Sequence, residues 1–403
     1  MREQNKNQIL IITQHFPPEL SGNASRINDL SVNLSNSINV LIFSPFPSFP
    51  HGSFKNSFKI KKSTNINSKL KHINLGAWQP TDQNPSFLSR MAYYISFPLH
   101  ANIWALFYFR KYDVIITSTP PIFTAITGLF SKLILRKKWI IDVRDMWIDA
   151  SISLGFVKEE SMFERISRYF ESVSFKNADL VCTTTEGIAN KLKTRYKIKK
   201  IALIPNGVDP DYFYPKTKSK KNQIIYSGNV GYAQDLKNCI LALKKIIKSN
   251  NIKLLIVGNG DIKKELENLV KKQKLEDNVI FKGIVPRDKI PEMISESLIG
   301  IAPLKKLDCL DYAIPTKVYE YMACGIPFLS SGIGEIKRLT KESNAGVIAE
   351  NDPTNIADTI LELLNNPKKS EEMGKNGIKY VKKYYNRKKI ALNLQNYIEE
   401  MKS

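Results

Sequence analysis

Short apolar runs rich in β-branched residues alternate with amphipathic helical patterns along almost the whole chain. A first series of six runs is followed by a series of five: QILIIT, INVLIFS, DVIITST, WIIDV, ADLVCTT and IALIPN, then QIIYSG, KLLIVG, VIFKGI, LIGIAP and PFLSS. Stretches such as ASRINDLSVNLSN and DIKKELENLVKKQKL lie between them. Strands buried on both faces have this continuous apolar composition, and their alternation with helices is typical of parallel sheets. The pattern therefore predicts doubly wound α/β layers.

The chain of 403 residues is too long for one hydrophobic core, since cores stop growing near ~250–300 residues. The two series of strand candidates meet at IPNGVDPDYFYPKTKSKKN, whose Pro, Gly and Lys content is typical of a linker. We therefore predict two Rossmann-like domains, 1–204 and 205–384, that face a cleft, with a helix over 385–403 packed back on the first. Ligands of such sheets bind beyond the carboxyl ends of the strands, so the cleft is the expected site.

The N-terminal stretch and the cysteines favour a reduced setting. The stretch MREQNKNQILIITQHFPPE has only a short apolar run, which predicts a first strand rather than a signal peptide. The four cysteines have neither metal-ligand nor disulfide spacing: Cys182, Cys239, Cys309 and Cys324. A cytoplasmic location is the simplest interpretation.

The net charge of +22 is concentrated in one part of the chain. Residues 51–138 contain 13 Lys and Arg against two acids, Asp82 and Asp113, which is +11, half of the total. A basic region of this kind favours an acidic partner: nucleic acid, an anionic membrane or a phosphorylated substrate. A solvated Lys-rich surface is the alternative.

The basic region encloses an uncharged stretch, MAYYISFPLHANIWALFYF, over residues 91–109. Arg90 precedes it, Arg110 and Lys111 follow it, and it contains aromatic side chains such as Trp104 and Phe107. Its length nearly permits a membrane span of ~20 residues, but its polar residues and the strand that follows argue against one. We predict either a buried core helix or a segment docked at the headgroup level of an anionic membrane.

Two strand-to-helix turns contain glycines where a phosphate can approach backbone amides. Gly22 and Asn23 stand just before the first amphipathic helix, and Gly228, Asn229 and Gly231 follow the first strand of the second series. Helix N-termini bind anions because their amides are unpaired, and glycine permits close approach. Both turns are candidate phosphate cradles, with an ordinary structural turn as the alternative.

Two further features favour a structural role. Gly258 and Gly260 lie at another strand-to-helix turn, but the third glycine of a dinucleotide fingerprint is missing. His15 follows the first strand beside a pair of prolines. Neither feature by itself indicates chemistry.

Charged residues follow the strand WIIDV. Arg144 and Asp145, with Trp147 close behind, stand just past its carboxyl end, where the chemistry of α/β enzymes usually lies. An ion pair between Arg144 and Asp145 that serves only structure explains the pattern equally well.

The stretch IPTKVYEYMACGIP predicts a short helix whose N-terminus carries both a cation and a carboxylate. Lys317 and Glu320 are three residues apart and therefore share a helix face. The unpaired amides at that end of the helix, together with Lys317, suit a phosphate, whereas Glu320 suits a hydroxyl-rich group.

These motifs, in this order, resemble the family-four retaining glycosyltransferases, which have the GT-B fold. The resemblance covers nearly the whole chain and is carried by HFPPELSGNASR, SFPLHANIW, DVRDMWIDASISLG, IPNGVD, YSGNVGYAQDL, VGNGD, IPTKVYEYMACGIP and the terminal stretch from Gly374. Two of these motifs, VRDMWIDASISLG and IPTKVYEYMACG, resemble the subgroup that adds amino sugars in O-antigen and capsule assembly.

The resemblance implies roles for several of these residues. Glu320 would bind the ribose hydroxyls of a nucleotide-sugar, Thr316 and Lys317 would face its diphosphate, and the main chain near Ile284 would read the base. The loop at Gly22 would close over the phosphates from the other domain, and the Gly228, Asn229 and Gly258 turns would border the donor. A carboxylate accepts from vicinal hydroxyls, and a Lys with free amides neutralises a leaving diphosphate, so the resemblance implies no metal and no cofactor.

The chain departs from the family pattern at three places. Tyr312 stands where many members carry an acid that contacts the donor sugar. The stretch from Asn229 to Leu236 lacks the Arg and Lys with which many members hold the diphosphate. Lys317 would therefore contribute more to binding the diphosphate. Arg144 aligns best with the family's histidine, so Arg144, Asp145 and Lys317 are the candidate catalytic residues.

The resemblance implies a retaining transferase that moves a sugar of the N-acetylhexosamine type from a nucleotide diphosphate, expected to be UDP, to a polyprenyl-phosphate-linked or glycan acceptor. The first domain would bind the acceptor and the second the donor, at the inner face of the cell membrane. Two alternatives remain open: a non-hydrolysing nucleotide-sugar epimerase on the same fold, and a basic nucleic-acid-binding protein. The epimerase would need acid and base groups that are scarce here, and the sequence has no nucleic-acid-binding motif.

Overall fold

The chain divides into two compact units. A computed structural model describes residues 8–19, 21–49, 54, 59–82 and 85–402. The first unit comprises the described residues of Met1–Asn206 and Arg387–Ser403, and the second comprises Gly207–Asn386. The sequence predicted this boundary between residues 204 and 205. It also predicted that a helix over 385–403 returns to the first unit.

A mostly parallel sheet forms the centre of the first unit. Its strands are β1 (Gln8–Ile12), β2 (Asn39–Pro45), β3 (Lys61–Asn65), β4 (Leu70–Leu75), β5 (Val114–Thr119), β6 (Lys138–Val143), β7 (Leu180–Thr183) and β8 (Ile201–Leu203). Among the described residues they pair in the order β3-β4-β2-β1-β5-β6-β7-β8, with β3 antiparallel to β4. In register, Ile9 of β1 lies between Val40 of β2 and Val114 of β5.

Helices cover this sheet. They are α1 (Gly22–Leu34), α2 (Phe87–Phe107), α3 (Ala125–Leu133), α4 (Trp147–Ser153), α5 (Met162–Asn177) and α6 (Glu186–Tyr196). The apolar side of α1 packs on the sheet through Ile27 and Leu30, which are buried with Ile9, Ile11 and Val40 in one core.

The second unit is a smaller parallel sheet between helices. Its strands are β9 (Gln223–Ser227), β10 (Lys253–Val257), β11 (Val279–Gly283), β12 (Ile299–Ala302), β13 (Phe328–Ser330) and β14 (Gly346–Ile348), in the order β11-β10-β9-β12-β13-β14. Its helices are α7 (Leu236–Ile246), α8 (Lys263–Gln273), α9 (Ile290–Ser295), α10 (Thr316–Ala323), α11 (Glu335–Ser343), α12 (Pro353–Asn365) and α13 (Pro367–Tyr384). The strand order reverses beside β9, and ligands of open α/β sheets bind at such a switch point.

The last helix, α14 (Arg387–Glu400), belongs to the first unit and packs on α1. Its apolar residues Ile390, Leu394 and Ile398 join the core of that unit. The Arg387 guanidinium donates to the Ser25 hydroxyl at 3.0 Å and forms an ion pair with Asp29 of α1. Both apolar burial and a charged contact therefore fix the returning helix.

The predicted fold class is confirmed, and each of the eleven predicted strands overlaps an observed strand. The prediction missed β3, β4 and β14. β3 reads KKSTN and forms an exposed edge, where lysines discourage pairing with other chains. β14 has only three residues, and β4 interrupts its apolar residues with buried polar ones that find partners within the fold.

The predicted linker, IPNGVDPDYFYPKTKSKKN, is mostly part of the second unit. The chain leaves the first unit after Asn206, and Val208 and Phe213 are already buried in the core of the second. The linker prediction was therefore wrong for most of that stretch, because its aromatic and aliphatic residues pack while its Pro, Gly and Lys residues lie around them.

The uncharged stretch of residues 91–109 belongs mainly to α2. One side of this helix is buried through Met91, Tyr93, Phe97, Ala101 and Ala105. The opposite side exposes a set that we call the apolar stripe: Leu88, Ile95, Leu99, Ile103, Leu106 and Phe107. Among the described residues, no helix combines the length and apolar content needed to cross a bilayer. The stretch is thus neither wholly buried nor wholly exposed.

Candidate active site

Lys317 is buried at the start of α10. Pro315 precedes the helix with φ of −60°, and the N-terminal position of Thr316 and Lys317 was predicted. The Lys317 ammonium donates to Gln234 Oε1 at 2.9 Å and to the Tyr226 hydroxyl at 3.3 Å. It also lies 4.4 Å from the centre of the Tyr226 ring, a favourable cation–π position. This amine is therefore held in one position rather than solvated.

Tyr321 fixes α10 against the sheet. Its hydroxyl accepts from the Ser227 amide at 3.0 Å and donates to the Ile301 carbonyl at 3.2 Å, so it joins β9 to β12. Gly300 leaves room for the ring, since a Cβ there would lie 2.4 Å from it. Because residues four apart share a helix face, this anchor directs Lys317 to the carboxyl edge of the sheet at its switch point.

Lys317 and Glu320 interact, as their spacing predicted. Burial lowers the pKa of Lys317 to about 8, and the negative charge of Glu320 opposes that shift. At neutral pH the amine is therefore a cation that has lost much of its hydration. Such a group gains more from a phosphate than a solvated lysine does. Glu320 is partly buried beside it.

The glycines of this edge pack two loops against each other. Gly228 and Gly258 both have φ of +134°, and a Cβ on Gly258 would lie 1.9 Å from the Gly228 carbonyl oxygen. A Cβ on Gly228 would lie 3.1 Å from Cε of Lys317. These glycines therefore allow the two loops to touch and leave a path for the Lys317 side chain.

The predicted cradle at Gly228 and Asn229 differs from the observed loop. The Gly228 amide donates to the Val257 carbonyl at 2.9 Å, and the Val230 amide donates to the Asn259 carbonyl at 2.9 Å. The next helix, α7, does not begin until Leu236. The Gly228 amide, which was expected to receive a phosphate, is thus already paired, as is the Val230 amide in the same loop. The loop instead helps to position the charge on Lys317.

Ile284 follows β11 at the same edge of the sheet. The carbonyl of the preceding residue, Gly283, accepts the Gly258 amide at 2.8 Å, which ties this turn to the glycine loops. The Ile284 side chain is half exposed, whereas Tyr312, in the position of the family's acid, is buried. The structure therefore brings Gly228, Gly258, Ile284 and Lys317 to one edge of one sheet.

Arg144 is fixed at the carboxyl end of β6 in the first unit. Its Nε donates to the Ser118 hydroxyl and its Nη2 to the Pro120 carbonyl, both at 3.1 Å. Its own amide donates to the Thr119 carbonyl at 3.2 Å, and its carbonyl accepts from the Thr184 hydroxyl at 3.1 Å. Burial lowers the pKa of Arg144 to about 10, so the guanidinium remains charged at neutral pH.

A buried ion pair lies beside Arg144. Arg26 of α1 donates through Nη2 to Asp142 Oδ1 at 3.0 Å and to the Ile204 carbonyl at 2.9 Å. The Ser118 hydroxyl donates to Asp142 at 3.3 Å and accepts from Arg144, which makes one connected network. Buried charges need such partners, and this network connects α1, β5 and β6 beneath the candidate catalytic loop.

Asp145, next to Arg144, is the carboxylate among the candidate catalytic residues. Its Oδ1 accepts the Met146 amide at 2.8 Å. Burial raises the pKa of Asp145 to about 6, and the Met146 amide and the charge of Arg144 oppose that shift. No direct ion pair joins Arg144 to Asp145 in this described loop, although the charge of Arg144 acts on the Asp145 carboxylate.

Gly22 and Asn23 form the first turn of α1. Ser21 caps the helix, since its hydroxyl accepts the Ala24 amide at 3.1 Å. Gly22 is exposed, whereas the amide oxygen and nitrogen of the Asn23 side chain are buried without a hydrogen-bond partner in the described part of the chain. Such a group is costly unless a ligand or water satisfies it. The nearby His15 is bonded to Glu19 at 2.6 Å, as expected of a structural histidine.

The five predicted membrane residues lie on α2 or in the turn after it: Arg90, Trp104, Phe107, Arg110 and Lys111. The Trp104 indole donates to His100 at 3.0 Å, and the Lys61 ammonium lies 3.7 Å from the centre of its ring. Arg110 and Lys111 are exposed. The described residues contain no group of three or more His, Cys, Asp or Glu side chains arranged to hold a metal ion.

Two family models together match the chain from residue 22 to residue 380. Glycosyltransferase Family 4 matches residues 22–212, and Glycosyl transferases group 1 matches residues 211–380. The chain belongs to the family-four glycosyltransferases. The boundary between the matches falls within a few residues of the boundary between the two units, so each unit of this glycosyltransferase corresponds to one model.

Individual proteins similar to this glycosyltransferase include two curated relatives. N-acetyl-alpha-D-glucosaminyl L-malate synthase of Bacillus anthracis is 24% identical over 228 residues, which cover 54% of this chain and 58% of that enzyme. The amylovoran biosynthesis glycosyltransferase AmsK of Erwinia amylovora is 28% identical over 171 residues, which cover 41% of this chain and 42% of AmsK. This chain thus spans less than two thirds of the length of either relative.

A solved structure with the same fold is that of HepE from Anabaena in complex with UDP-glucose. It superposes with a TM-score of 0.69 at 15% identity and covers 98% of this chain and all of that chain. At 15% identity this likeness establishes the GT-B fold but neither the donor nor the acceptor.

Sequence reasoning missed the residues that hold the glycosyltransferase's candidate site together. Gln234 and Tyr226 orient Lys317, and Ser118 and Asp142 orient Arg144. The only sequence signal for Gln234 is its place in the loop after the first strand of the second series. Tyr226 and Gln234 are 91 and 83 positions from Lys317, and Ser118 is 26 positions from Arg144, so pairing them requires the fold.

Proposed function

We propose that this glycosyltransferase moves a sugar of the N-acetylhexosamine type from a UDP-linked donor to a lipid-linked or glycan acceptor, with retention of configuration. The acceptor is a polyprenyl-phosphate-linked sugar or a growing surface glycan. The enzyme works in the cytoplasm, bound peripherally to the inner face of the cell membrane, and uses neither a metal nor another cofactor. The second unit binds the donor and the first binds the acceptor.

The observation that carries this proposal is the buried ammonium of Lys317 at the N-terminus of α10. Tyr226 and Gln234 orient it, and Glu320 lies one helical turn away on the same face. A donor diphosphate that meets Lys317 and the first amides of α10 places its ribose within reach of the Glu320 carboxylate. Positive charge that a metal supplies in other transferases comes here from the protein.

Similar proteins support the choice of donor. HepE binds UDP-glucose in a structure of the same fold, and the Bacillus anthracis relative is by its name an N-acetyl-alpha-D-glucosaminyl L-malate synthase. AmsK, by its name, serves the biosynthesis of the polysaccharide amylovoran. These names favour UDP, an N-acetylhexosamine and surface glycan assembly for this chain.

The chemistry requires positioning more than a protein nucleophile. The bond from the anomeric carbon to the leaving phosphate oxygen breaks while the acceptor hydroxyl attacks the same face. The departing phosphate oxygen takes the proton of that hydroxyl. Lys317 stabilises the charge that develops on the diphosphate, while Arg144 and Asp145 orient the acceptor.

The decisive experiment is mass spectrometry of products from a panel of nucleotide-sugars incubated with a polyprenyl-diphosphate-linked acceptor. A product heavier by one N-acetylhexosamine, with UDP released, supports the proposal. An epimerised nucleotide-sugar formed without acceptor supports the epimerase instead. Titration with UDP and with duplex DNA separates both from a nucleic-acid-binding protein, since only the last binds DNA preferentially at physiological salt.

The affinity for UDP should fall as pH rises from about 7 to about 9. The pKa of Lys317 is about 8, so the cation that meets the diphosphate is present below that pH and is lost above it. Calorimetric titration at each pH measures the effect. Lys317→Arg keeps its charge throughout and serves as the control for the titration of UDP itself, so identical profiles for the two proteins would contradict the role of Lys317.

The membrane part of the proposal rests on α2 and its surroundings. Its apolar stripe is exposed, with 53% of Leu99 and 71% of Phe107 accessible, and Lys61, Arg110 and Lys111 lie near its C-terminal end. Exposed apolar residues next to cations suit the interface of an anionic membrane.

Co-sedimentation with anionic vesicles should weaken about fivefold in Arg110→Gln, because each basic residue near such a surface contributes about 1 kcal/mol. Lys382→Gln removes the same charge from an exposed position on α13 and is the matched control. Wild-type binding should weaken with added salt and with neutral lipid. Equal binding to neutral and anionic vesicles at every salt concentration would refute the electrostatic contribution.

A further inference from the structure

The first unit contains a pocket of about 210 Å³ whose lining shares only Arg90 with the residues assigned a role above. It lies between the first turns of α2 and helix α4, next to the segment that follows α4. Nine of the described residues line it: Pro85, Phe87, Arg90, Met91, Tyr94, Trp147, Ser151, Phe156 and Val157.

The walls of this pocket are mainly aromatic. The rings of Tyr94 and Trp147 meet edge to face with centroids 6.2 Å apart, and Phe123 supports Trp147 at 5.7 Å. Phe87 and Phe156 are 44% and 49% exposed, so large apolar surfaces remain open to solvent around the pocket. An apolar ligand that covers these walls removes their apolar surface from water, which favours its binding.

Arg90 supplies the one charge among the described residues of the lining. Its Nε donates to the Pro85 carbonyl at 3.0 Å, and its guanidinium lies 5.9 Å from the centre of the Phe156 ring. Its two terminal nitrogens make no hydrogen bond or ion pair within the described part of the chain. No Asp or Glu is among the described residues that line the pocket, so none of them repels an anion. The planar fork of Arg90 is therefore available to a phosphate group.

The polar groups of the pocket are too few for a sugar. Besides Arg90, the described lining offers side-chain hydrogen bonds only from the hydroxyls of Tyr94 and Ser151 and the indole N–H of Trp147. A sugar ring carries several hydroxyls that each need a partner when buried. An apolar chain that ends in a phosphate matches one guanidinium and an aromatic wall far better.

The position of the pocket connects two surfaces described above. Trp147 is two residues beyond Asp145 of the candidate catalytic loop. Phe87 and Arg90 flank Leu88, the first member of the apolar stripe on α2. A lipid that passes from a membrane against the stripe toward the loop thus meets this pocket.

We propose that the pocket binds the acceptor lipid itself, with its first isoprene units against Tyr94, Trp147 and Phe156 and its phosphate on Arg90. This inference rests on the proposed function, because it assigns a place to the lipid of a polyprenyl-linked acceptor. It commits to a prenyl phosphate rather than to a phospholipid of the membrane.

The test is titration of the full chain with farnesyl diphosphate, with farnesol and inorganic diphosphate as probes of the two halves of that molecule. Farnesyl diphosphate should bind more tightly than either half. Arg90→Gln and Phe156→Ala should each weaken it roughly tenfold, the loss expected for one charge-assisted or one aromatic contact. UDP binding should not change in either variant, which shows that both remain folded.

Matched controls remove the same groups elsewhere. Arg165→Gln deletes an exposed guanidinium on α5, and Leu392→Ala trims an exposed apolar side chain on α14. Both should bind farnesyl diphosphate like the wild type. Wild-type affinity in Arg90→Gln and Phe156→Ala would overturn the proposal. Equal affinity for a short-chain phosphatidylglycerol, with the same dependence on Arg90, would overturn the choice of a prenyl ligand.

The outcomes separate this proposal from the proposed function. Farnesyl diphosphate binding that depends on Arg90 and Phe156, in a protein that transfers no sugar, supports the pocket and refutes the transferase reaction as proposed. Transfer to a lipid-linked acceptor that is unchanged in Arg90→Gln supports the reaction and refutes the pocket.

Discussion

Lys317→Ala should lower kcat by roughly 10²–10³-fold, the cost of removing one preorganised donor from a developing oxyanion. The amine is already oriented by Gln234 and Tyr226 before any donor arrives, so little reorganisation is needed when the diphosphate departs. Because the leaving group gains charge in the transition state, kcat should fall in addition to donor affinity. Steady-state kinetics with the donor identified by mass spectrometry measures both.

The controls for Lys317 separate chemistry from folding. Lys337→Ala removes an exposed lysine from α11 and should leave kcat unchanged. Burial lowers the pKa of Lys317, so Lys317→Ala removes an unfavourable buried charge but also two hydrogen bonds, and a cooperative thermal transition shows that the variant is folded. An unchanged kcat in a folded Lys317→Ala protein would show that the amine does not meet the leaving group.

Glu320→Ala should weaken donor binding by about a hundredfold while the fold persists. A carboxylate that accepts from two ribose hydroxyls contributes charge-assisted hydrogen bonds of about 1.5–3 kcal/mol, and deletion leaves the buried hydroxyls unpaired. Since the ribose does not react, the loss should fall mainly on KM and on the affinity for UDP. Calorimetric titration with UDP measures it directly.

A comparison of nucleotides makes the Glu320 prediction specific. The 2′-deoxy form of UDP should lose affinity in the wild type but little further affinity in Glu320→Ala, because the missing partner is the same. Glu372→Ala, at an exposed position on α13, is the matched control and should bind UDP normally. Undiminished UDP affinity in Glu320→Ala would place the ribose elsewhere.

The sheets of both units were predictable because most of their strands are buried on both faces. A run such as KLLIVG has no polar face, and only a parallel sheet covered by helices accommodates it. Two edge strands lack this apolar pattern and were not predicted. Lys61–Asn65 is stabilised by pairing with β4 rather than by burial, and Gly346–Ile348 has too few residues for a pattern.

The candidate site was predictable where two functional groups share one helix face. Lys317 and Glu320 are three residues apart, and the helix geometry alone brings them together. The Gly228 cradle was predicted less well, because the spacing of glycines does not show that Val257 and Asn259 already accept the amides of that loop. Arg26 and Asp142 are 116 residues apart, so only the packing of α1 on the sheet makes them a pair.

The return of α14 to the first unit has a consequence for how the chain is made. The first unit is discontinuous in sequence, and its core lacks Ile390, Leu394 and Ile398 until the residues of α14 are synthesised. The second unit, Gly207–Asn386, is continuous and leaves the ribosome complete while α1 is still without its partner helix. The usual order, in which N-terminal domains fold first, is therefore reversed for the final packing step. Ribosome-bound nascent chains that end before Arg387 should expose the apolar side of α1 to chaperones.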